Sequence, residues 1–252
     1  MKRYISILCI FSVAACLSCS VEKTATPIPS DTSQLILVVT EDMNAPAGML
    51  QRFEKDAAGS WVNNGAAIPT MIGKNGLGWG IGLHPEIEDG ILKKEGDGKA
   101  PAGVFNLSSV FGFKPSDSTD MKMPYLHVTD ALECVDDGSS IYYNRIVSND
   151  TIAQPDWNSS EKMLAVGETY AIGVTVDHNP EQIAGRGSCI FLHIWGGVDD
   201  PTIGCTSVET KDMQRIAVWL DPDAKPVLVQ LAEPDYQQLK EKWQLPAITV
   251  ED

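Results

Sequence analysis

From Gln34 to Leu231 the chain is cut into short apolar runs, and the Gly, Pro, Asn and Asp between them constrain the fold more than any other feature. LILVVT (35–40), GMLQRFEKD (48–56), IPTMIG (68–73), AGVFNL (102–107) and SSIYYNRIV (139–147) read as strands. YAIGVTV (170–176), SCIFLHI (188–194) and KPVLVQL (225–231) continue the series. Their near-continuous apolar character predicts central strands buried on both faces. The domain is expected to be mainly β, with no internal repeat.

One helix interrupts the series. Met213, Ile216, Ala217 and Leu220 recur at helical spacing, with Thr210 as N-cap, Asp212 in the first turn, and Asp221 and Pro222 as the stop. A second short helix is expected over Asp235 to Trp243. The tryptophans here, Trp219 included, are read as packing residues. The chain has 252 residues and is 43% hydrophobic, enough for one sizeable core and one domain over 34–232. A tail over 233–252 carries the second helix.

The beginning reads as an export signal over 1–19. Lys2 and Arg3 provide the positive start, and Ile5 to Ala15 form an apolar core too short to span a bilayer. VAACLSCS follows, with small residues before a cysteine as in the lipobox of bacterial lipoproteins. Cys19 is the favoured lipidation site because it follows the longer apolar run. Cys16, after Val13, Ala14 and Ala15, is the alternative. Complete cleavage with ordinary secretion also remains open. Residues 20–33, rich in Thr, Ser and Pro, read as a flexible tether. The expected location is the bacterial cell envelope, membrane-anchored and periplasmic.

Thirty-four acidic against nineteen basic residues give a net charge of −15, which argues against nucleic acid as a partner. With Cys19 as the anchor, Cys134, Cys189 and Cys205 remain, and an odd count leaves at least one free thiol in an oxidising compartment. With Cys16 as the anchor that parity argument fails. A Cys134–Cys189 bridge is compatible with either case.

The chemistry concentrates in FLHIWGGVDDPTIGC. His193 closes an apolar strand, and Cys205 follows on a Gly-rich return between Pro201 and the polar pair Thr206 and Ser207. Cys189, in SCIFLHI, sits as a core cysteine does, whereas Cys205 sits on a turn. A thiol attacks acyl carbon as thiolate, and a nearby imidazole is the usual means of making one. Gly204 lets backbone amides approach a reacting carbonyl. The alternative is a buried structural cysteine beside a satisfied core histidine. A zinc site would recruit His193, Cys205 and Asp199 or Asp200, but neither HExxH nor paired CxxC spacing is present, so no metal is expected. His84, His127 and His178 are expected in surface or capping roles. Asp97 and Lys99 in GDGK could meet charged substrate groups, though the tetrapeptide reads first as a turn.

These residues resemble the L,D-transpeptidase catalytic-domain family, the YkuD-type cysteine enzymes of bacterial cell walls. The resemblance covers about Leu35 to Leu231. It rests on GKNGLGWGIGL (73–83), KKEGDGKAPAGVFNLSSVFGF (93–113), CVDD (134–137), YYN (142–144), GSCIFLHIWGG (187–197) and PTIGCTSV (201–208). It implies a β-sandwich or barrel with a few short helices, one following the nucleophile. It also implies Cys205 as nucleophile, Gly204 as the glycine before it, and His193 as base. Thr202 stands where the family commonly has serine. Ile203 replaces the histidine of the Ser-His-Gly-Cys motif, and Ser207 stands near its arginine.

The implied substrate is a peptidoglycan stem tetrapeptide, cleaved before its terminal D-alanine through a thioester, with no cofactor. Thr202, Ile203, Trp195 and Thr206 are the implied substrate contacts, and the amides of Ile203, Gly204 and Cys205 are the implied oxyanion donors. Backbone carbonyls at 194–196 could hold the other ring nitrogen of His193. An acceptor amine gives transpeptidation, and water gives L,D-carboxypeptidase or wall-hydrolase action. Carbapenems are the implied inhibitors. A catalytically weak wall-binding lipoprotein is the alternative outside enzymology.

Overall fold

Gln34–Thr40 is buried at all seven positions because it lies inside a closed sheet with helices outside it. The computed structural model describes residues 26–87 and 89–248. In chain order the strands are β1 (Gln34–Thr40), β2 (Ala47–Lys55), β3 (Trp61–Asn63), β4 (Ile68–Met71), β5 (Leu77–Trp79), β6 (Ala100–Gly112) and β7 (Tyr125–His127). They continue with β8 (Leu132–Val135), β9 (Ile146–Ser148), β10 (Ser160–Lys162), β11 (Ile172–Val176), β12 (Phe191–Ile194), β13 (Thr206–Val208) and β14 (Val227–Ala232). The helices are α1 (Thr210–Trp219) and α2 (Glu233–Trp243).

The order β1-β14-β6-β11-β12-β13-β4-β2 closes on itself through the β1–β2 pairing, giving an eight-stranded barrel. A barrel of this size is filled by its own side chains. Leu192, Ile194 and Val208 belong to the main core, whereas Phe191 packs in a second cluster, so strand alternation sorts β12 into two faces. α1 packs on β11 and β12, and α2 on β14 and β1.

A separate three-stranded sheet, β10-β8-β9, lies against the barrel's outside. Buried Glu133 on β8 ties it together by accepting from Lys162, Ser160, Trp157 and Asn149. A Cys134–Cys189 disulfide fastens β8 to the segment entering β12. Phe111, Val128, Cys134, Met163, Tyr170, Cys189, Phe191 and Cys205 form the second core between sheet and barrel.

Several expectations change. Residues 139–143 are turns and bends, and only Ile146 and Val147 of the run 139–147 are strand, opening β9. Asp137 accepts from the Ser139 amide and hydroxyl, Ser140 bonds Asp156, and Asn144 takes a left-handed φ of 59°. Turn chemistry there overrides the β-propensity of the tyrosines. The N-cap of α1 is Glu209 rather than Thr210, and its side chain makes no capping bond. α2 starts earlier than expected, with Pro234 in its first turn.

The tether expected over 20–33 is docked from Thr26 onward. Ile28 joins the core, Thr26 Oγ1 donates to the Trp243 carbonyl at 2.6 Å, and Ser33 N to the Ala224 carbonyl. The export signal, Cys16, Cys19 and residues 20–25 lie outside the described residues. His84 and His178 are buried rather than superficial, and each accepts a backbone N–H on Nδ1, from Val104 and Ile81. Gly103 admits the His84 ring: at φ 136°, a Cβ there would lie 1.9 Å from it. His127 is exposed.

Candidate active site

β12 and β13 run parallel with His193 opposite Ser207 and Leu192 opposite Thr206. This register sets Cys205, one residue before β13, beside Phe191. The Phe191 amide donates to Cys205 Sγ at 3.3 Å, and the Cys189 carbonyl lies 3.6 Å from the same sulfur. Tyr170 packs in the same buried cluster as the thiol. Cys205 is the one free cysteine among the described residues and is only 7% exposed. Burial pushes its thiol up to about 12, with the Glu161 carboxylate adding to the rise; the Phe191 amide, Tyr170 and Lys93 offset part of it.

His193 lies on the same outward face of β12 as Phe191. Its Nδ1 bonds the Ile194 carbonyl at 2.7 Å. A carbonyl only accepts, so Nδ1 carries the proton and Nε2 keeps the lone pair in the neutral ring. Burial pushes the imidazole down to about 4, partly offset by that bond. The ring meets Tyr170 edge-on, centroids 5.2 Å apart. No hydrogen bond joins His193 to Cys205; both groups meet around Tyr170 as a neutral thiol and a neutral imidazole.

The return before Cys205 is clipped to the 72–74 segment: Thr202 N donates to the Ile72 carbonyl and Lys74 N to the Thr202 carbonyl. Thr202 Oγ1 donates to the Cys205 carbonyl at 2.6 Å and accepts from Gly204 N at 3.1 Å. Gly204 has φ 154°, and a Cβ there would stand 3.2 Å from the Lys99 carbonyl oxygen. With the Gly204 amide taken by Thr202, the Ile203 and Cys205 amides remain as the candidate oxyanion donors. Ile203 is 73% exposed. Thr206 does not reach the site. It is buried and donates to Gln230 Oε1 inside the barrel, because it alternates in direction with its neighbour.

Trp195 lines a cleft of about 720 Å³ with Phe113, Met121, Tyr125 and Ile172 as apolar walls, and neither Cys205 nor His193 lines it. Lys114 and Glu168 also line it. Asp97 is a turn clasp: its oxygens accept from Lys93 Nζ, Lys94 N and Lys99 N. Lys99 Nζ is spent on the Asn75 carbonyl. Asp199 and Asp200 are exposed, and among the described residues no three His, Cys, Asp or Glu side chains converge as a metal would require.

Three groups at the site were not singled out as site residues in the sequence. Lys93 is buried, and its Nζ would lie 3.8 Å from a Cβ at Gly204. Tyr170 reads as part of an apolar run. Glu161, on β10, accepts from Tyr170 Oη at 2.8 Å, and burial pushes its carboxyl up to about 7. Asn144 was legible only as part of YYN. It holds the segment under Cys205 by accepting from Cys189 N and donating to the His178 and Asn179 carbonyls. Compared with known protein families, curated proteins and solved structures, the chain gives no match.

Proposed function

We propose that this domain is a cysteine acyltransferase of the L,D-transpeptidase type, fold included, acting on peptidoglycan stem peptides. The observation that carries the reading is the Nδ1–H bond from His193 to Ile194, which leaves Nε2 as the basic nitrogen on the face that holds Cys205. A neutral imidazole is the competent form of a general base. A free thiol on a Gly turn, beside two unspent amides, is the nucleophile such a base serves.

In this mechanism His193 takes the Cys205 proton as the sulfur attacks the carbonyl before the terminal D-alanine. The Ile203 and Cys205 amides hold the oxyanion. The imidazolium protonates the departing amine, leaving a thioester. An acceptor amine resolves it to a crosslink, and water resolves it to a tripeptide. The apolar cleft at Trp195 suits the acceptor or donor stem, and Thr202 shapes the turn rather than touching substrate. The Cys134–Cys189 disulfide supports an oxidising compartment, in keeping with an exported, lipid-anchored protein.

A catalytically weak wall-binding role is the second reading, favoured by the burial of Cys205 and its lack of a bond to His193. Intact-protein mass spectrometry with disaccharide tetrapeptides, with and without an acceptor stem, separates these readings. Loss of D-alanine with a crosslinked dimer establishes transpeptidation, and tripeptide alone establishes carboxypeptidase action. A stable carbapenem adduct on Cys205, absent in Cys205→Ala, is expected for either enzyme. No change that depends on Cys205 refutes both.

A further inference from the structure

Cys205 lies under a cover. The second core that buries it is built from the three-stranded sheet β10-β8-β9 and its flanks on one side and from Phe111 and Phe191 of the barrel on the other. Among the described residues no strand of that sheet pairs with a barrel strand, so no backbone ladder holds it down. Apolar packing, side-chain bonds such as Tyr170 to Glu161 and Asn144 to the His178 carbonyl, and one covalent link, the Cys134–Cys189 bridge, hold it instead.

The bridge ends at the wall of the thiol itself. The Cys205 thiol donates to the Cys189 carbonyl at 3.6 Å, and its sulfur accepts from the Phe191 amide at 3.3 Å. Cys189 has a left-handed φ of 55°, and Asn144, whose side chain accepts the Cys189 N–H at 2.9 Å, has one of 59°. Neither is glycine, and such a conformation persists only where its surroundings enforce it. At Cys189 the bridge and the Asn144 bond enforce it. A cleft of about 240 Å³, lined by both bridged cysteines with Asn144, His178 and Phe191, gives a small thiol reagent its approach to the two otherwise buried residues.

We propose that Cys134–Cys189 is a redox latch: closed, it holds the three-stranded sheet over Cys205, and its reduction by a dithiol lets the sheet lift and exposes the thiol. This rests on the acyltransferase reading for its purpose, though not for its test. One thiolate of the dithiol attacks a sulfur of the bridge; the S–S bond breaks, a mixed disulfide forms, and the other cysteine leaves as a thiolate that takes up a proton. The second thiolate of the dithiol then closes on the first sulfur and releases the remaining cysteine. Two electrons and two protons pass to the protein as two thiols, and the dithiol ends as a cyclic disulfide.

Reduction frees Cys189 to leave its left-handed conformation, and the carbonyl and amide that grip the Cys205 sulfur move with it. Closed, the cover keeps oxidants from the one free thiol among the described residues, in a compartment where disulfides form. The 7% exposure of Cys205 is on this account the closed state of the latch.

A bridge that only stabilises the fold gives a different result, because its reduction changes Cys205 only as far as the whole domain unfolds. The test is iodoacetamide alkylation of the full chain under native conditions, before and after dithiothreitol treatment and removal of the reductant. Rates are read on each cysteine peptide by mass spectrometry, while circular dichroism follows folding. After reduction the Cys205 rate is expected to rise at least about tenfold with the far-ultraviolet spectrum unchanged. In Cys134→Ala with Cys189→Ala the rate is expected to be high with or without the dithiol.

An unchanged Cys205 rate once the Cys134 and Cys189 peptides show the bridge reduced overturns the latch. A bridge that dithiothreitol leaves intact in the folded domain overturns it too, as does a rise in rate that comes only with loss of the folded spectrum. The measurement on the native chain decides the matter even where the double variant does not fold. Since no wall peptide is present, the latch and the acyltransferase reading fail separately.

Discussion

Replacing both bridged cysteines, Cys134→Ala with Cys189→Ala, tests how far the barrel relies on its staple. Alanine is chosen because both sites are buried, where serine would strand a hydroxyl. The bridge spans 55 residues, and loop-closure entropy for that span is about 14 cal/mol/K, or about 4 kcal/mol at 25 °C. For a domain of this size each kcal/mol moves Tm by about 2–4 °C, so the variant should melt about 8–16 °C lower. Urea unfolding should show a lower midpoint and a steeper slope, because the unfolded chain is no longer held compact. The loss should have a local face as well. β8 and the entry to β12 hold the second core over Cys205, so alkylation of that thiol should quicken below the melting range. A fall of under about 3 °C with unchanged thiol reactivity would refute the idea that the bridge holds the cover in place.

Gly204→Ala should lower thiol reactivity at least about tenfold and cost about 1–3 kcal/mol, since φ 154° is strained for alanine and its Cβ crowds the Lys99 carbonyl; thermal melts and carbapenem adduct formation read both effects. Stability against pH separates half-buried Glu161 from buried His178. Glu161 has a folded value of about 7, above its unfolded 4.5, so it binds protons on folding, and its contribution is lost as pH rises through that window. Glu161→Gln should therefore gain about 3 kcal/mol relative to the native protein between about pH 4.5 and about pH 8. His178, pushed by burial from 6.5 to about 4, works the other way: unfolding takes up its proton, so stability falls as pH drops below 6.5. Equilibrium urea melts should show that His178→Gln removes about 2 kcal/mol of the stability difference between about pH 7 and about pH 5.

Most barrel strands were legible in the chain because a period of two, or an unbroken apolar run, leaves few alternatives between closely spaced turn residues. LILVVT, SCIFLHI and KPVLVQL each overlap an observed strand, and the spacing of Met213, Ile216, Ala217 and Leu220 identified α1. The prominence of Cys205 was legible too, from the glycine before it and the turn around it. The mistakes came where side chains competed with the backbone. At 139–143, Asp137 and Ser140 made turns out of a run rich in tyrosine, and at Thr206 a residue next to Cys205 faced the barrel's interior.

The sequence by itself determined the elements, the turn that carries Cys205, and the strand that presents His193, because each depends on residues close together in the chain. Tertiary structure alone decided the closure of the barrel, the Cys134–Cys189 pairing and the company of the thiol. Glu161, Tyr170 and Lys93 come from separate segments: pairing of β11 with β12 sets Tyr170 against His193, and docking of the three-stranded sheet brings Glu161 to the Tyr170 hydroxyl. The shifts of Cys205, His193 and Glu161 toward their neutral forms have the same origin. They come from the removal of water by distant segments, and no local pattern of residues records that.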